Sequence, residues 1–250
     1  MRLKGMPELW TPDKSIAQFI DHTLLKPGAV SADIAKLCQE AVQHQFYSVC
    51  VNGSWVSYCK EQLAGSNVAV SAVVGFPLGA MSTKIKAAEA DAAVEDGAAE
   101  IDMVLPIGAL LEGRYGVVAY DIGAVVRAVE GHAIVKVIME TGMLSDEQKS
   151  EACRVAEAAG AHYVKTSTGF GIGGATEADI KLMRASVTPG IGVKASGGIR
   201  DRDTAIIMLN AGANRLGTSA GIAIVTAAPA SVFGQSGDNT GAGPAASTLY

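Results

Sequence analysis

The sequence predicts a single-domain α/β protein folded as a (β/α)₈ barrel, because short β-rich runs alternate with helical patterns along most of its 250 residues. Eight runs at roughly even spacing predict eight parallel strands, at 19–23, 46–51, 68–74, 100–105, 133–138, 162–165, 191–194 and 214–216. A hydrophobic content of 49% over this length is enough for a large core. An open, doubly wound sheet stays an alternative if the strand count is wrong by about one or two.

Helical patterns lie between these runs, including those at 31–43, 81–95, 115–130, 146–159, 176–185 and 201–209. Capping signals open three of them, at Ser31, Ser145 and Thr176, where a side-chain oxygen can accept from a free backbone N–H group. Glycines follow others, as at Gly160 and Gly212, which is typical of a helix C-terminus. A helix between consecutive strands is what a parallel barrel requires.

The composition changes near the C-terminus. From Thr226 onward the chain is mostly Ala, Gly, Ser and Pro, with hardly any large apolar side chain before Leu249 and Tyr250. We therefore predict a barrel domain at 1–225 and a flexible Ala/Gly/Ser-rich tail at 226–250.

Charge and composition exclude several classes of partner. A net charge of −5 without a basic stripe argues against nucleic acid, and no apolar stretch is long enough to span a bilayer. Residues 1–13 lack the apolar region of a secretory signal. The four cysteines lack metal-ligand spacing, so we expect free thiols and a cytoplasmic location.

A lysine motif occurs twice, as VKTSTG at 164–169 and VKASGG at 193–198. Lys165 and Lys194 are 29 positions apart, about one strand-helix-strand unit, which predicts neighbouring strands. Two ammonium groups about 6 Å apart repel by roughly 3 kcal/mol at an effective dielectric near 20, and burial also disfavours the charged form. One amine can then stay neutral and attack an aldehyde or ketone, as in Schiff-base enzymes. Spacing leaves open which lysine this is, and Lys136 is a third candidate, deeper in its strand.

Carboxylates share the barrel interior with these lysines. Alternation places Glu100 and Asp102 on one face of their strand and Ile101 and Met103 on the other. Asp102 can therefore hold a lysine and a water that moves protons while an imine forms and breaks. The alternative is an ion-pair network that only fills the barrel.

Glycine-rich turns follow the last two predicted strands, at 196–198 and 217–219. Barrels often bind phosphate here through backbone N–H groups, and Arg200 can add charge. His22 lies beside Asp21 at the end of the first strand, where it is either a proton carrier or, more commonly, a structural residue.

Five segments together resemble the deoxyribose-phosphate aldolases, class I aldolases of (β/α)₈ fold: IDHTLLKP at 20–27, VGFPLG at 74–79, EIDMV at 100–104, VKTSTGF at 164–170 and VKASGGIR at 193–200. The resemblance implies that Lys165 forms the Schiff base, Lys194 lowers its pKa and Asp102 takes part in proton relay through water. It also implies reversible cleavage of 2-deoxy-D-ribose 5-phosphate to acetaldehyde and D-glyceraldehyde 3-phosphate in deoxyribonucleotide catabolism, without metal or cofactor.

The resemblance extends to the residues that bind substrate. Asp21 and Thr168 match positions near the proton relay, and a further set matches the phosphate-contacting backbone: Gly169, Gly197, Gly198, Gly217 and Ser219. Some members of the family carry a lysine where this chain has Phe170, which removes one charge from the phosphate site. Others end in a tyrosine that assists proton transfer, as Tyr250 would here, and relatives suggest a homodimer.

Two other classes of function stay open on the sequence alone. One is a regulatory protein that binds a sugar phosphate on the same barrel without turnover. The other is an isomerase or a different lyase on a phosphate-binding barrel, which would form no imine.

Overall fold

The computed structural model describes residues 8–227, and within them eight parallel strands close into a barrel in sequence order. The strands are β1 Ile20–Leu24, β2 Ser48–Asn52, β3 Ala69–Val74, β4 Glu100–Val104, β5 Ile134–Ile138, β6 Tyr163–Lys165, β7 Gly192–Ser196 and β8 Arg215–Thr218. β8 pairs with β1 in parallel, with Asp21 opposite Gly217. The predicted barrel is confirmed, and the open-sheet alternative is wrong.

Nine α-helices are described: α1 Ser31–Gln43, α2 Val56–Gln62, α3 Thr83–Glu95, α4 Ile107–Leu111, α5 Tyr115–Ala128, α6 Asp146–Ala158, α7 Glu177–Ser186, α8 Arg202–Asn210 and α9 Gly221–Thr226. The six helices predicted from the sequence all occur, with ends that differ by at most a few residues. Sequence reasoning missed α2, α4 and α9, because helices of five to seven residues are too short to show helical periodicity.

The predicted caps are correct at two helices. Ser145 Oγ accepts from Gln148 N at 3.3 Å, and Thr176 Oγ1 accepts from Asp179 N at 3.0 Å. The prediction for Ser31 is wrong, because Ser31 already lies in the first turn of α1. There the carboxylate of Asp33 accepts from the backbone N–H of Val30 at 3.0 Å and closes the helix start.

The two faces of each strand have opposite chemistry. Outward side chains such as Val49, Ile101, Val137 and Val193 are fully buried and pack in one hydrophobic core with the surrounding helices. Inward positions carry mostly polar or charged groups, described below. The core of the protein is therefore the layer between barrel and helices, while the barrel interior is polar.

The lower part of the barrel interior is filled by Tyr163 of β6. Its ring lies over Gly192 of β7, where a Cβ atom would be only 2.0 Å from Tyr163 Cε1. The guanidinium carbon of Arg215 lies 3.4 Å from the centroid of the Tyr47 ring. The rings of Tyr163 and Tyr47 thus lie below the charged groups of the barrel interior, next to Arg215.

Other predictions concern cysteines, membranes and the tail. The four cysteines are buried free thiols. No helix in residues 8–227 is long and apolar enough to cross a bilayer. Within the same residues, no group of three or more His, Cys, Asp or Glu side chains is arranged to hold a metal ion. Thr226, the first residue of the predicted tail, ends α9, and residues 228–250 lie outside the described part of the chain.

Candidate active site

Seven charged side chains meet inside the barrel, each 3% exposed or less: Asp21, Glu100, Asp102, Lys136, Lys165, Lys194 and Arg215. Strand register brings them together, since Asp102 lies opposite Lys136, and Lys165 lies opposite Lys194. The prediction that the two motif lysines occupy neighbouring strands is confirmed. Alternation along each strand is the reason that all seven point inward.

Asp102 is at the centre of this cluster. Its Oδ2 accepts from the Nζ atoms of Lys165 and Lys194, both at 2.8 Å. Its Oδ1 accepts from Lys136 Nζ at 2.6 Å and from Ser71 Oγ at 3.0 Å. Burial alone would raise the pKa of Asp102, but the three lysines hold that pKa well below its usual range. Asp102 is therefore a permanent anion that joins three amines.

Two more carboxylates hold the remaining cations. Asp21 accepts from Lys194, and from Arg215 Nη1 at 2.8 Å. Glu100 lies 2.6 Å from Lys136 Nζ and 3.3 Å from Arg215 Nη1. Lys194 and Arg215 therefore each contact two carboxylates, and Lys136 contacts three, since Asp21 also lies 3.7 Å from its Nζ. Lys165 contacts one.

The number of carboxylates around each lysine sets the direction in which its pKa shifts. Burial lowers the pKa of Lys165 most, and the positive charge of Lys194 lowers it further, against the opposing attraction of Asp102. For Lys194 and Lys136 burial also favours the neutral form, but their carboxylates prevail and raise both pKa values. Carboxylates raise the pKa of Arg215 in the same way. Lys165 is thus the basic group of the cluster whose pKa falls.

The net charge of the cluster supports the same assignment. Asp21, Glu100 and Asp102 supply three negative charges, and the two other lysines with Arg215 supply three positive charges. The buried cluster is neutral only when Lys165 is unprotonated. Since a net charge in a buried site is costly, the charge balance of the cluster favours a lowered pKa at Lys165.

Lys165 opens to a small cavity at the carboxyl ends of the strands. Its lining also includes Thr23, Leu25, Thr168, Phe170, Ser196, Gly197, Gly217 and Thr218. Thr23 and Leu25 also line a larger cavity of about 680 Å³, which Lys26, Arg200 and Ser219 share. Phe170, which lines the small cavity, meets Phe76 edge to face, with ring centroids 5.3 Å apart. A ligand at Lys165 therefore adjoins an outer cavity whose charged lining comprises Lys26, Lys36, Arg200, Asp33 and Glu40.

The predicted phosphate-contacting glycines occupy different environments. Gly169, Gly197 and Gly198 have φ angles of +83°, +87° and +78°, which favour glycine. A Cβ atom at Gly198 would meet nothing within 4 Å, so its backbone is open. At Gly217 a Cβ atom would lie 3.0 Å from Lys194 Cε, so this glycine makes room for the lysine. Tyr250, the predicted proton-transfer residue, lies outside the described residues.

His22 faces away from the reacting lysines. It lies between Asp21 and Thr23 on β1 and points to the outer layer, where its Nε2 is 2.8 Å from Glu40 Oε2 of α1. Burial lowers the pKa of His22, against the effect of Glu40. The structural interpretation of His22 is the one that fits these contacts.

Sequence reasoning missed several members of the site. Arg215 lies within the predicted strand at 214–216, and alternation from Gly217 would have placed it in the interior. Ser48 and Ser71, which donate to Asp21 and Asp102, carry no recognisable signal in the sequence. Their roles depend on strands that are distant along the chain.

The charge assignment predicts a difference in stability between two lysine variants. Lys136→Met leaves Glu100 and Asp102 buried without their common cation, and we expect a loss of about 3–5 kcal/mol in the free energy of unfolding. Lys165→Met removes a neutral amine and one hydrogen bond, so its change should stay within about 1.5 kcal/mol. Urea unfolding near neutral pH measures both. Equal losses in the two variants would contradict a neutral Lys165.

Comparisons with known proteins show the family to which the chain belongs. The profile of the DeoC/LacD family aldolases matches residues 15–227. Deoxyribose-phosphate aldolase 1 of Bacillus licheniformis is 56% identical over 212 residues, which are 85% of this chain and 95% of that protein. A deoxyribose-phosphate aldolase from Alkaliphilus oremlandii is 57% identical over 211 residues, covering 84% of this chain and 95% of the relative.

A solved structure extends the likeness to the fold. The tetrameric deoxyribose phosphate aldolase from Aeropyrum pernix is 32% identical to this chain and superposes with a TM-score of 0.79. The match covers 84% of this chain and 89% of that one. Sequence and fold together lead to one conclusion: this chain belongs to the DeoC/LacD family of aldolases.

Proposed function

We propose that this protein is a class I aldolase that reversibly cleaves 2-deoxy-D-ribose 5-phosphate to acetaldehyde and D-glyceraldehyde 3-phosphate. The observation that carries the proposal is that buried Lys165 contacts one carboxylate, whereas Lys136 and Lys194 contact two or more, so its pKa is lowered while theirs are raised. A neutral, buried amine at the end of a barrel strand is the nucleophile that Schiff-base catalysis needs. The family to which the chain belongs supports the same reaction class.

Imine formation begins at the aldehyde carbon C1 of the open-chain sugar. The neutral Nζ of Lys165 adds to C1, and the adduct takes up one proton from solvent and loses water to give a protonated imine. The positive charge that develops on nitrogen lies beside Asp102 Oδ2, which is 2.8 Å from Lys165 Nζ. The same oxygen accepts from Lys194, so a proton can pass between the two amines through one carboxylate.

Carbon–carbon cleavage follows from the imine. The C3 hydroxyl gives its proton to the proposed relay of water and Asp102, the C2–C3 bond breaks, and its electron pair moves into the imine to form an enamine. The C3 fragment leaves as glyceraldehyde 3-phosphate. The enamine then takes a proton at C2, and hydrolysis releases acetaldehyde and returns the neutral Lys165 amine.

The outer cavity is the proposed site of the substrate phosphate. Lys26 and Arg200 line it, and neither makes an ion pair with another side chain in residues 8–227. Ser219 lines the same cavity, and a Cβ atom at Gly198 would meet nothing within 4 Å, so there is space beside that backbone. Phe170 supplies no charge, so Lys26 and Arg200 are the proposed charged partners of the phosphate, while Lys36 of the same cavity lies 3.8 Å from Glu40.

Three expectations from the sequence stay predictions: a cytoplasmic location, a homodimer, and proton transfer by Tyr250. The tetramer belongs to the Aeropyrum pernix relative. Light scattering of the full chain measures its own oligomeric state.

Reductive trapping tests the nucleophile. With acetaldehyde and borohydride, Lys165 should become ethylated, because borohydride reduces the imine to a stable secondary amine. Peptide mass spectrometry locates the label, and Lys165→Leu should lose at least about 1,000-fold in cleavage rate while staying folded. Label on Lys136 or Lys194 with Lys165 unmodified would contradict the assignment. Trapping without release of triose phosphate from the sugar would select the regulatory binding protein instead.

The pH dependence of trapping tests the role of Lys194. Lys165 reacts when neutral, so the trapping rate falls as the pH drops below the pKa of Lys165. Lys194→Met removes a positive charge that lowers this pKa, and the acid limb should move to higher pH. Lys194→Arg keeps the charge and should leave the limb near its original position. An unchanged limb in the Met variant would show that burial alone sets the pKa.

Phosphate recognition is tested with paired substrates. Lys26→Gln and Arg200→Gln should each raise KM for 2-deoxyribose 5-phosphate by about tenfold, the size of one charge-assisted hydrogen bond. Cleavage of unphosphorylated 2-deoxyribose should change little. Lys36→Gln is the matched control, since Lys36 lines the same cavity but lies 3.8 Å from Glu40. Equal losses with both sugars would rule out a phosphate contact.

A further inference from the structure

Glu140 is a buried acidic residue that the proposed mechanism does not use. It follows β5 directly, at the carboxyl end of the barrel, and is only 3% exposed. Its backbone is left-handed, with φ +55° and ψ +60°. For a residue other than glycine this conformation is strained and persists only where surrounding contacts impose it.

The contacts of Glu140 go to one turn, at 168–171. Its Oε2 accepts from Thr168 Oγ1, and its Oε1 accepts from Thr168 N at 3.4 Å. The carboxyl group also packs against Gly171, where a Cβ atom would lie 2.9 Å from Glu140 Cδ. In the described part of the chain no lysine, arginine or histidine forms an ion pair with it. The contacts described for this carboxylate are therefore all with the turn at 168–171.

This turn carries two residues of the reaction cavity. Thr168 and Phe170 line the cavity of Lys165, and Phe170 N donates to Thr168 Oγ1 at 3.0 Å. The hydroxyl of Thr168 thus donates a hydrogen bond to Glu140 and accepts one from the backbone amide of Phe170. A hydroxyl has one donor and two acceptor sites, so its remaining capacity is that of an acceptor.

We propose that Glu140 is a positioning residue of the aldol reaction, which fixes the Thr168 hydroxyl as a hydrogen-bond acceptor beside Lys165. The inference rests on the proposed function and adds a role for a residue outside the lysine cluster. Imine formation uses the amine of Lys165 with Asp102 and Lys194, and none of its steps is assigned to Thr168. An acceptor in the cavity instead serves the steps that follow, in which the C3 hydroxyl loses its proton and C2 exchanges one.

Glycine is the variant that separates positioning from folding. Glu140→Gly removes the carboxylate and fits the left-handed backbone, so the variant should remain folded. We expect kcat for sugar cleavage, and deuterium exchange at the acetaldehyde methyl group in D₂O, to fall by about tenfold, as for one lost hydrogen bond. The rate of borohydride trapping at Lys165 should stay within about twofold of the wild-type rate, because imine formation does not depend on Thr168.

A double-mutant cycle tests whether Glu140 acts through Thr168. Thr168→Val removes the acceptor hydroxyl, and Thr168→Ser keeps it and should retain most of the exchange rate. If Glu140 works by orienting this hydroxyl, the double variant Glu140→Gly with Thr168→Val should be no slower than the slower single variant. Additive losses would overturn the inference. So would normal exchange and kcat in Glu140→Gly, or an equal fall in trapping and exchange.

Trapping in the wild-type protein distinguishes this inference from the proposed function. If acetaldehyde is not trapped at Lys165 of the wild-type protein, the Schiff-base reaction itself is wrong, and the role of Glu140 is wrong with it. If trapping occurs normally but the Glu140 variants exchange deuterium at the normal rate, the reaction stands and the positioning role alone is wrong.

Discussion

The carboxylate of Asp102 is the interaction on which the rest of the site depends. It is fully buried and accepts from Lys136, Lys165 and Lys194, so one side chain holds three amines together. Without this anion the amines would lose their common partner in an interior where an unpaired charge is costly. Because other carboxylates share the remaining cations, Lys165 keeps a single partner and can stay neutral. Its reactivity is a property of the whole cluster.

A charged interior is compatible with a stable barrel because the opposite face of each strand is apolar. Ile101 and Met103 are fully buried in the outer core, while Glu100 and Asp102 on the same strand face inward. The outer layer supplies hydrophobic stabilisation, and the inner layer is stable because its charges are paired. Gly217 gives space to Lys194 in this inner layer. The outward faces of the strands thus stabilise the fold, and their inward faces carry the charged groups of the site.

Much of the architecture follows from local patterns in the sequence. Eight β-rich runs and six helical patterns predict the barrel, and Ser145 and Thr176 cap their helices as expected. The short helices α2, α4 and α9 lie below the length at which periodicity is visible. The role of Asp33 at the start of α1, and the left-handed backbone of Glu140, depend on contacts that the local sequence does not display.

By itself the sequence determined that Lys165 and Lys194 lie on neighbouring strands with Asp102 in the same interior, because spacing and alternation are local properties of the chain. Spacing left open which lysine has the lowered pKa, although the resemblance implied Lys165. Only the tertiary structure gives the physical reason, since the partners that raise the pKa of Lys194 include Asp21, 173 positions away in the sequence. The number of carboxylates around each amine is set by barrel closure, which no local pattern encodes.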